Sequence, residues 1–167
     1  MTDLIILATL LHGAKHGYSL KRQAGLILGQ ENLRNNLVYP LLRRFVASKW
    51  VSKQEVPGQR GQTRQLYSLT ALGKKELLLR LSNFTEQDAR DADEFRLRVG
   101  MFQVLGPDAR LRILEARQAF LRSRLEKLAS IEKNFDLDRY AREVTRRFLA
   151  DSETEVNWIE HLRRISK

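Results

Sequence analysis

Apolar residues in the first half of the chain recur at helical spacing in short runs separated by turn residues. Residues 4–11 are apolar apart from Thr9 and predict a buried helix opening near Asp3 and ended by Gly13 at the C′ position. Residues 12–18, with Gly13 and Gly17, read as a turn. Ser19 can then cap a second helix to about Leu28, with Leu20, Ala24, Ile27 and Leu28 near one face and Lys21, Arg22 and Gln23 turned outward. A third helix runs from Asn35 to about Lys49. Val38, Leu41, Leu42 and Phe45 form its apolar stripe, and Asn36, Pro40, Arg43 and Ala47 lie opposite, flanked by Tyr39 and Arg44. Pro40 has no N–H to give, so it belongs within about one turn of the helix start, with Asn35 or Asn36 as N-cap.

The period then changes. Residues 50–56 and 64–69 read as two strands, with Val51, Tyr67 and Leu69 able to face a core. The segment between them is rich in Gly and carries Arg60 and Arg64 without a carboxylate. Thr70 caps a fourth helix through Leu81, packed by Leu72, Leu77, Leu78 and Leu81. Gly73 inside it costs about 1 kcal/mol relative to Ala, which close approach of another backbone would explain. Three short helices followed by two strands and a cationic loop predict a winged helix-turn-helix.

Beyond Thr85 the pattern is wholly helical. Asp88, Asp91, Asp93 and Glu94 lead acidically into a helix with Phe95, Val99, Phe102 and Leu105, and read as helix-dipole partners. Pro107 and Asp108 start another, in which Leu111, Leu114, Gln118, Leu121, Leu125, Leu128 and Glu132 step by threes and fours as a heptad seam. Asp136 and Asp138 open a last helix carrying Tyr140 or Ala141, Val144, Phe148, Trp158 or Ile159, Leu162 and Ile165, its stripe weakening at residues 151–153, where it can kink or break. The fold class expected is mainly α: a winged-helix domain over residues 1–82 and an all-α domain over residues 83–167.

Charge sharpens this division. The net charge is +10, and residues 1–82 hold 13 Lys and Arg against 4 Asp and Glu, whereas the remainder holds 17 against 16. A basic half beside a near-neutral one indicates a module for a polyanion joined to something else. Charge alone does not separate nucleic acid from an anionic membrane surface, but the polar face around Pro40 lacks the exposed apolar residues that membrane insertion needs. There is no run of about 18 apolar residues, and the opening apolar stretch lacks a basic leader and a small-residue cleavage site. The absence of Cys removes disulfides and thiol chemistry, in keeping with a reducing cytoplasm. His12, His16 and His161 have no metal-ligand spacing, and no phosphate-binding glycine loop or nucleophile elbow occurs. Neither an enzyme, a metal nor a cofactor is expected.

The residues also carry a family resemblance. His16-Gly17-Tyr18-Ser19-Leu20, then Val38-Tyr39-Pro40-Leu41-Leu42-Arg43-Arg44-Phe45, then the stretch from Arg60 through Tyr67-Ser68-Leu69-Thr70 to Gly73 resemble the winged-helix domain of the PadR family of bacterial transcriptional regulators. The second half is similar, more loosely, to the longer members of that family, including a tryptophan in the last helix, here Trp158. This chain departs from the family pattern with Val38 for Leu, no acid near Val46, and Lys49 where the family has Gly before the wing. The resemblance implies a homodimeric repressor on a pseudo-palindromic operator, with C-terminal helices that dimerise and sense a small molecule.

The DNA-binding residues expected are Lys21, Arg22, Asn35, Asn36, Tyr39, Arg43, Arg44, Arg60, Gln62, Thr63 and Arg64. Of these, Asn36, Tyr39 and Arg43 would approach base edges or nearby phosphates, and the second-helix and wing cations would hold phosphate or probe the minor groove. Dimerisation is expected through Leu114, Leu121, Leu125, Leu128, Phe148, Trp158 and Leu162. Tyr140, Phe148 and Trp158 are candidate liners of an effector pocket. The alternatives are a nucleic-acid binder without sequence preference and a helical protein-interaction module.

Overall fold

The computed structural model describes residues 1–27, 35–57 and 62–166, with the side chains of Asn35 and Asn36 outside that description. The chain forms two compact units, Met1–Leu81 and Ser82–Lys167.

In the first unit, α1 (Thr2–Thr9) runs into a 3₁₀ turn at Leu10–His12, and Gly13 ends it with φ 107°, a conformation that only glycine adopts without strain. Every residue from Leu4 to Leu10 is buried. Residues 12–18 are more than a turn. Lys15–His16 form β1, a two-residue strand too short to show alternation in the sequence, and α2 (Gly17–Ile27) begins directly after it. Ser19 therefore lies inside α2 rather than capping it. Leu20 and Ala24 are buried, but Ile27 is 56% exposed and does not continue the stripe. Leu28 lies outside the described residues.

In α3 (Asn35–Ala47) the expected face is inside: Val38, Leu42 and Phe45 are buried and Leu41 is half-buried. Pro40 falls in the second turn, later than its lost N–H favours, and sits on the exposed side. The helix ends in a Schellman arrangement. The Trp50 N–H donates to the Phe45 carbonyl at 2.9 Å, the Lys49 N–H donates to the Val46 carbonyl at 3.0 Å, and Lys49 takes the left-handed conformation at φ 59°. The Phe45 and Trp50 rings, 5.7 Å apart, make the apolar contact that accompanies this motif.

The wing is the antiparallel pair β2 (Val51–Pro57) and β3 (Thr63–Leu69), in register from Val51 opposite Leu69 to Pro57 opposite Thr63. β1 joins the other edge of β3, Lys15 opposite Tyr67 and His16 opposite Leu66, giving a three-stranded sheet of order β1-β3-β2 where the sequence shows two strands. Thr70 caps α4 (Ala71–Ser82), its hydroxyl accepting from the Gly73 N–H at 3.0 Å. A Cβ on Gly73 would stand 2.0 Å from the Trp50 carbonyl oxygen, so close approach of a neighbouring backbone does account for that glycine. Leu77 and Leu81 are buried and Leu78 half-buried, while Leu72 faces solvent at 50% exposure. Arg80 of α4 reaches Asp3 at 3.0 Å and Glu76 at 2.6 Å, and stacks 4.6 Å from the Trp50 ring centre.

The second unit is all-α. The acidic lead-in is two helices rather than one. Thr85 and Asp88 form a capping box on α5 (Glu86–Arg90), and the Asp91 carboxylate accepts from the Asp93 and Glu94 N–H groups at the start of α6 (Ala92–Gly100). After a 3₁₀ turn at Phe102–Val104, α7 (Pro107–Asn134) and α8 (Arg139–Ile165, capped by Asp138) pair as a hairpin, with α5 and α6 against α7. No break occurs at residues 151–153. α8 runs through them, and Ser152 is buried with its hydroxyl donating back to the Phe148 carbonyl at 2.7 Å, so that this polar group is satisfied inside the helix pair. Phe95, Ile113, Leu114, Leu121 and Ile159 form the core around Arg117. That guanidinium, 2% exposed, makes two 2.9 Å bonds to the Glu155 carboxylate and donates to the Ala89 carbonyl at 2.7 Å. Phe95 and Phe120 flank it, with ring centres 5.6 and 5.3 Å away.

Two outcomes are expected. Lys49→Gly relieves the left-handed strain and raises stability by about 1 kcal/mol, whereas Gly73→Ala lowers it by at least as much; urea midpoints measure both. Glu155→Ala strands a buried guanidinium and costs about 3–5 kcal/mol, read as loss of helical signal in denaturant unfolding.

Candidate nucleic-acid interface

The geometry of the first unit starts from Gly17. A Cβ there would lie 3.0 Å from the Tyr39 ring, so the missing side chain lets α3 press its tyrosine onto the first turn of α2. Tyr39 is consequently laid along the side of α3, 38% exposed, rather than projecting from its outer face. That outer face consists of Pro40, Arg43 and Ala47, all exposed. Arg44 turns to the opposite flank, where it lies 3.9 Å from Asp3 and stacks 5.5 Å from the Phe45 ring centre.

Two grooves follow the two sides of the α3–wing angle. One, of about 420 Å³, is bounded by His16 of β1, by Tyr18 and Ser19 at the start of α2, by Tyr39, and by Arg64 and Tyr67 of β3. The positive end of a helix and its unpaired N–H groups favour an anion at such a place. The other groove, of about 280 Å³, lies between Arg43, Val46 and Ala47 of α3 and Lys53 of β2, with Tyr67 again lining it. Among the described residues, Lys21, Arg22, Arg43, Lys53 and Arg64 have no carboxylate partner. The described carboxylates of this unit are occupied. Asp3 and Glu76 hold Arg80, and Glu55 accepts from the Gln65 amide at 2.8 Å. Among the described residues, the surface from α2 across α3 to the wing therefore presents positive charge without a carboxylate partner.

The structure thus brings Tyr39 and Arg64 together in one groove, places Arg43 in the other, and sets Arg44 aside. Lys21 is half-buried and Arg22 exposed on α2, and Gln62 and Thr63 are exposed at the start of β3. Arg60 and the side chains of Asn35 and Asn36 lie outside the described residues. The sequence reading missed His16, Tyr18 and Ser19, because a two-residue strand leading directly into a helix leaves no periodic signal. It also missed Lys53, which strand alternation places on the face of Val51.

In the second unit Leu114, Leu121 and Leu162 are buried in the chain's own core, while Leu125 and Leu128 are half-buried. Trp158 is half-buried, its ring edge-on to Phe95 at 5.7 Å. Phe148 and Trp158 line one groove of about 520 Å³ together with Arg124 and Arg147, but Tyr140, 76% exposed, is not part of it. Among the described residues no His, Cys, Asp or Glu cluster could hold a metal ion, and no helix is long and apolar enough to cross a membrane.

Burial raises the pKa of the Tyr67 phenol above its ordinary 10, with the neighbouring Tyr39 adding to the effect. Because the folded chain holds this proton more tightly than the unfolded chain, the contribution is full below about pH 10 and is lost as pH rises beyond it. Urea unfolding between about pH 9 and 11 should show that decline, and Tyr67→Phe should flatten it.

Residues 6–78 match the Transcriptional regulator PadR-like family, and residues 93–166 match the family described as Virulence activator alpha C-term. Among solved structures, the chain is similar to the Thermoplasma acidophilum protein TA0346, at 30% identity over 46% of this chain and 72% of that one, with a TM-score of 0.43. Bacillus subtilis PadR, solved in complex with operator DNA, is 20% identical over 99% of this chain and 98% of its own, with a TM-score of 0.48. RosR of H. salinarum is 27% identical over 62% and 88%, with a TM-score of 0.44. No curated protein matches the chain significantly. Matches to both halves, on a first unit built as helix-turn-helix and wing, give one conclusion: the chain belongs to the PadR-like family of transcriptional regulators.

Proposed function

We propose that the chain is a sequence-specific DNA-binding regulator that acts as a homodimeric repressor on a pseudo-palindromic operator and is released by a small-molecule effector. The observation that carries DNA binding is the uncompensated positive surface along α3 and the wing, where Arg43, Lys53 and Arg64 have no carboxylate partner among the described residues. In this reading α3 enters the major groove with Arg43 on its outer face toward base edges. Arg64, Tyr39 and the start of α2 meet the flanking backbone. Pairing of two copies is supported by the far end of the α7–α8 hairpin, where Phe135, Tyr140, Val144 and Phe148 are exposed. A two-fold pair would present two recognition helices to two half-sites, which is how one small reader reaches useful specificity. The groove beside Phe148 and Trp158 supports effector uptake by the second unit.

Enrichment of genomic fragments by the purified protein tests this reading. The expected product is a short inverted repeat, bound by a dimer in sedimentation. Equal affinity for all fragments, or none at low salt, rejects it. Arg43→Ala should weaken binding to the enriched site and reduce discrimination against one substituted base pair by about 1–3 kcal/mol.

A further inference from the structure

We propose that the second unit carries a binding site for a fatty carboxylate, a single apolar chain ending in one negative charge, in the groove between α5 and α7. The site is separate from the groove beside Phe148 and Trp158 and does not rest on the DNA-binding reading. It encloses about 590 Å³, within the range of small-molecule sites. Ala89 of α5 and Ala116, Ala119, Phe120 and Leu128 of α7 give it an apolar lining. From Ala116 to Leu128 it follows α7 for about 18 Å, at about 1.5 Å per residue, which suits an extended chain better than a compact ring. Phe120 is held by the Arg117 guanidinium, 5.3 Å from its ring centre, so this part of the lining is formed before anything binds.

Charge decides which amphiphile fits. Arg90 of α5 and Arg124 and Lys127 of α7 border the groove, against one carboxylate, that of Glu86. The side chains of Arg90 and Lys127 have no hydrogen-bond or ion-pair partner among the described residues, and Arg124 is stacked on the Phe148 ring, 5.0 Å from its centre. Cations around an apolar trough are answered by an anion with an apolar body, and a neutral or cationic amphiphile leaves them unanswered. Glu86 opposes a second negative charge on the head, which favours a carboxylate over a phosphate dianion. The chain would leave water against the alanines and Phe120, while the head stays at the rim beside Arg90 and Lys127, both exposed.

Calorimetric titration of the full chain with dodecanoate, below its micelle concentration, tests the assignment. One molecule should bind per chain. Affinity should rise about fourfold with each methylene from octanoate to dodecanoate, the value of a buried CH₂. Arg90→Gln and Lys127→Gln should each weaken dodecanoate about two- to fivefold, and dodecyltrimethylammonium should bind more weakly than dodecanoate. Ala119→Trp adds a ring at an exposed position and should keep the helical signal. It should weaken dodecanoate about tenfold or more, because the ring displaces about two methylenes of the chain. Affinity without chain-length dependence, equal affinity for the ammonium compound, or binding untouched by Ala119→Trp overturns the site. Failure of dodecanoate to bind also overturns it, and a change of association state in sedimentation of Ala119→Trp would then assign the groove to a second copy.

Discussion

The carbonyl of Trp50 is the joint on which the first unit depends. The Thr70 N–H donates to it at 3.0 Å, the Thr70 hydroxyl lies 3.0 Å away, and Gly73 packs its bare Cα against it. One residue earlier, the left-handed turn at Lys49 stops α3 and starts β2. The end of the recognition helix, the base of the wing and the first turn of α4 are thereby tied within a few residues. A strained lysine persists at this point because the surroundings over-determine its conformation, with two backbone bonds behind it and the Phe45–Trp50 contact beside it.

With the joint fixed, the electrostatic character of the unit follows from where its carboxylates go. Asp3 and Glu76 are drawn to Arg80, which stacks on Trp50 on the side of α1 and α4. Arg44 is drawn to the same side by Asp3. Among the described residues, the cations of α2, the outer face of α3 and the wing are left without a carboxylate partner, as are Lys74 and Lys75 of α4. Internal pairing does not merely add stability here; it removes negative charge from the face that meets a polyanion.

The second unit solves a different problem. Its core contains a guanidinium, and Arg117 is tolerable there because Glu155, the Ala89 carbonyl and two phenylalanine rings together replace the water it loses. The pair specifies how α7 and α8 register, since only one alignment places both partners correctly. Toward the hairpin's far end this internal order gives way to exposed aromatic and aliphatic residues, the observation that supports the proposed pairing of two copies.

Periodicity and turn chemistry were enough to place the apolar face of α3, the two wing strands, the Thr70 cap, the acidic helix starts and the division in charge, because each is written in contiguous residues. The family resemblance rests on the same local stretches. What the sequence could not contain was every feature that depends on residues far apart: β1 exists only because β3 lies beside it, Leu72 and Ile27 are exposed because none of the described residues covers them, and Tyr39 lies on α2 because Gly17 leaves room. The heptad seam of α7 divides for the same reason: Leu114 and Leu121 are covered by the chain itself, and Leu125 and Leu128 only partly. Local preference sets which residues are helix, strand and cap, since those energies act over a few positions. Which cation stays unpaired, and so what the surface can bind, is decided only when distant side chains compete for the same few carboxylates.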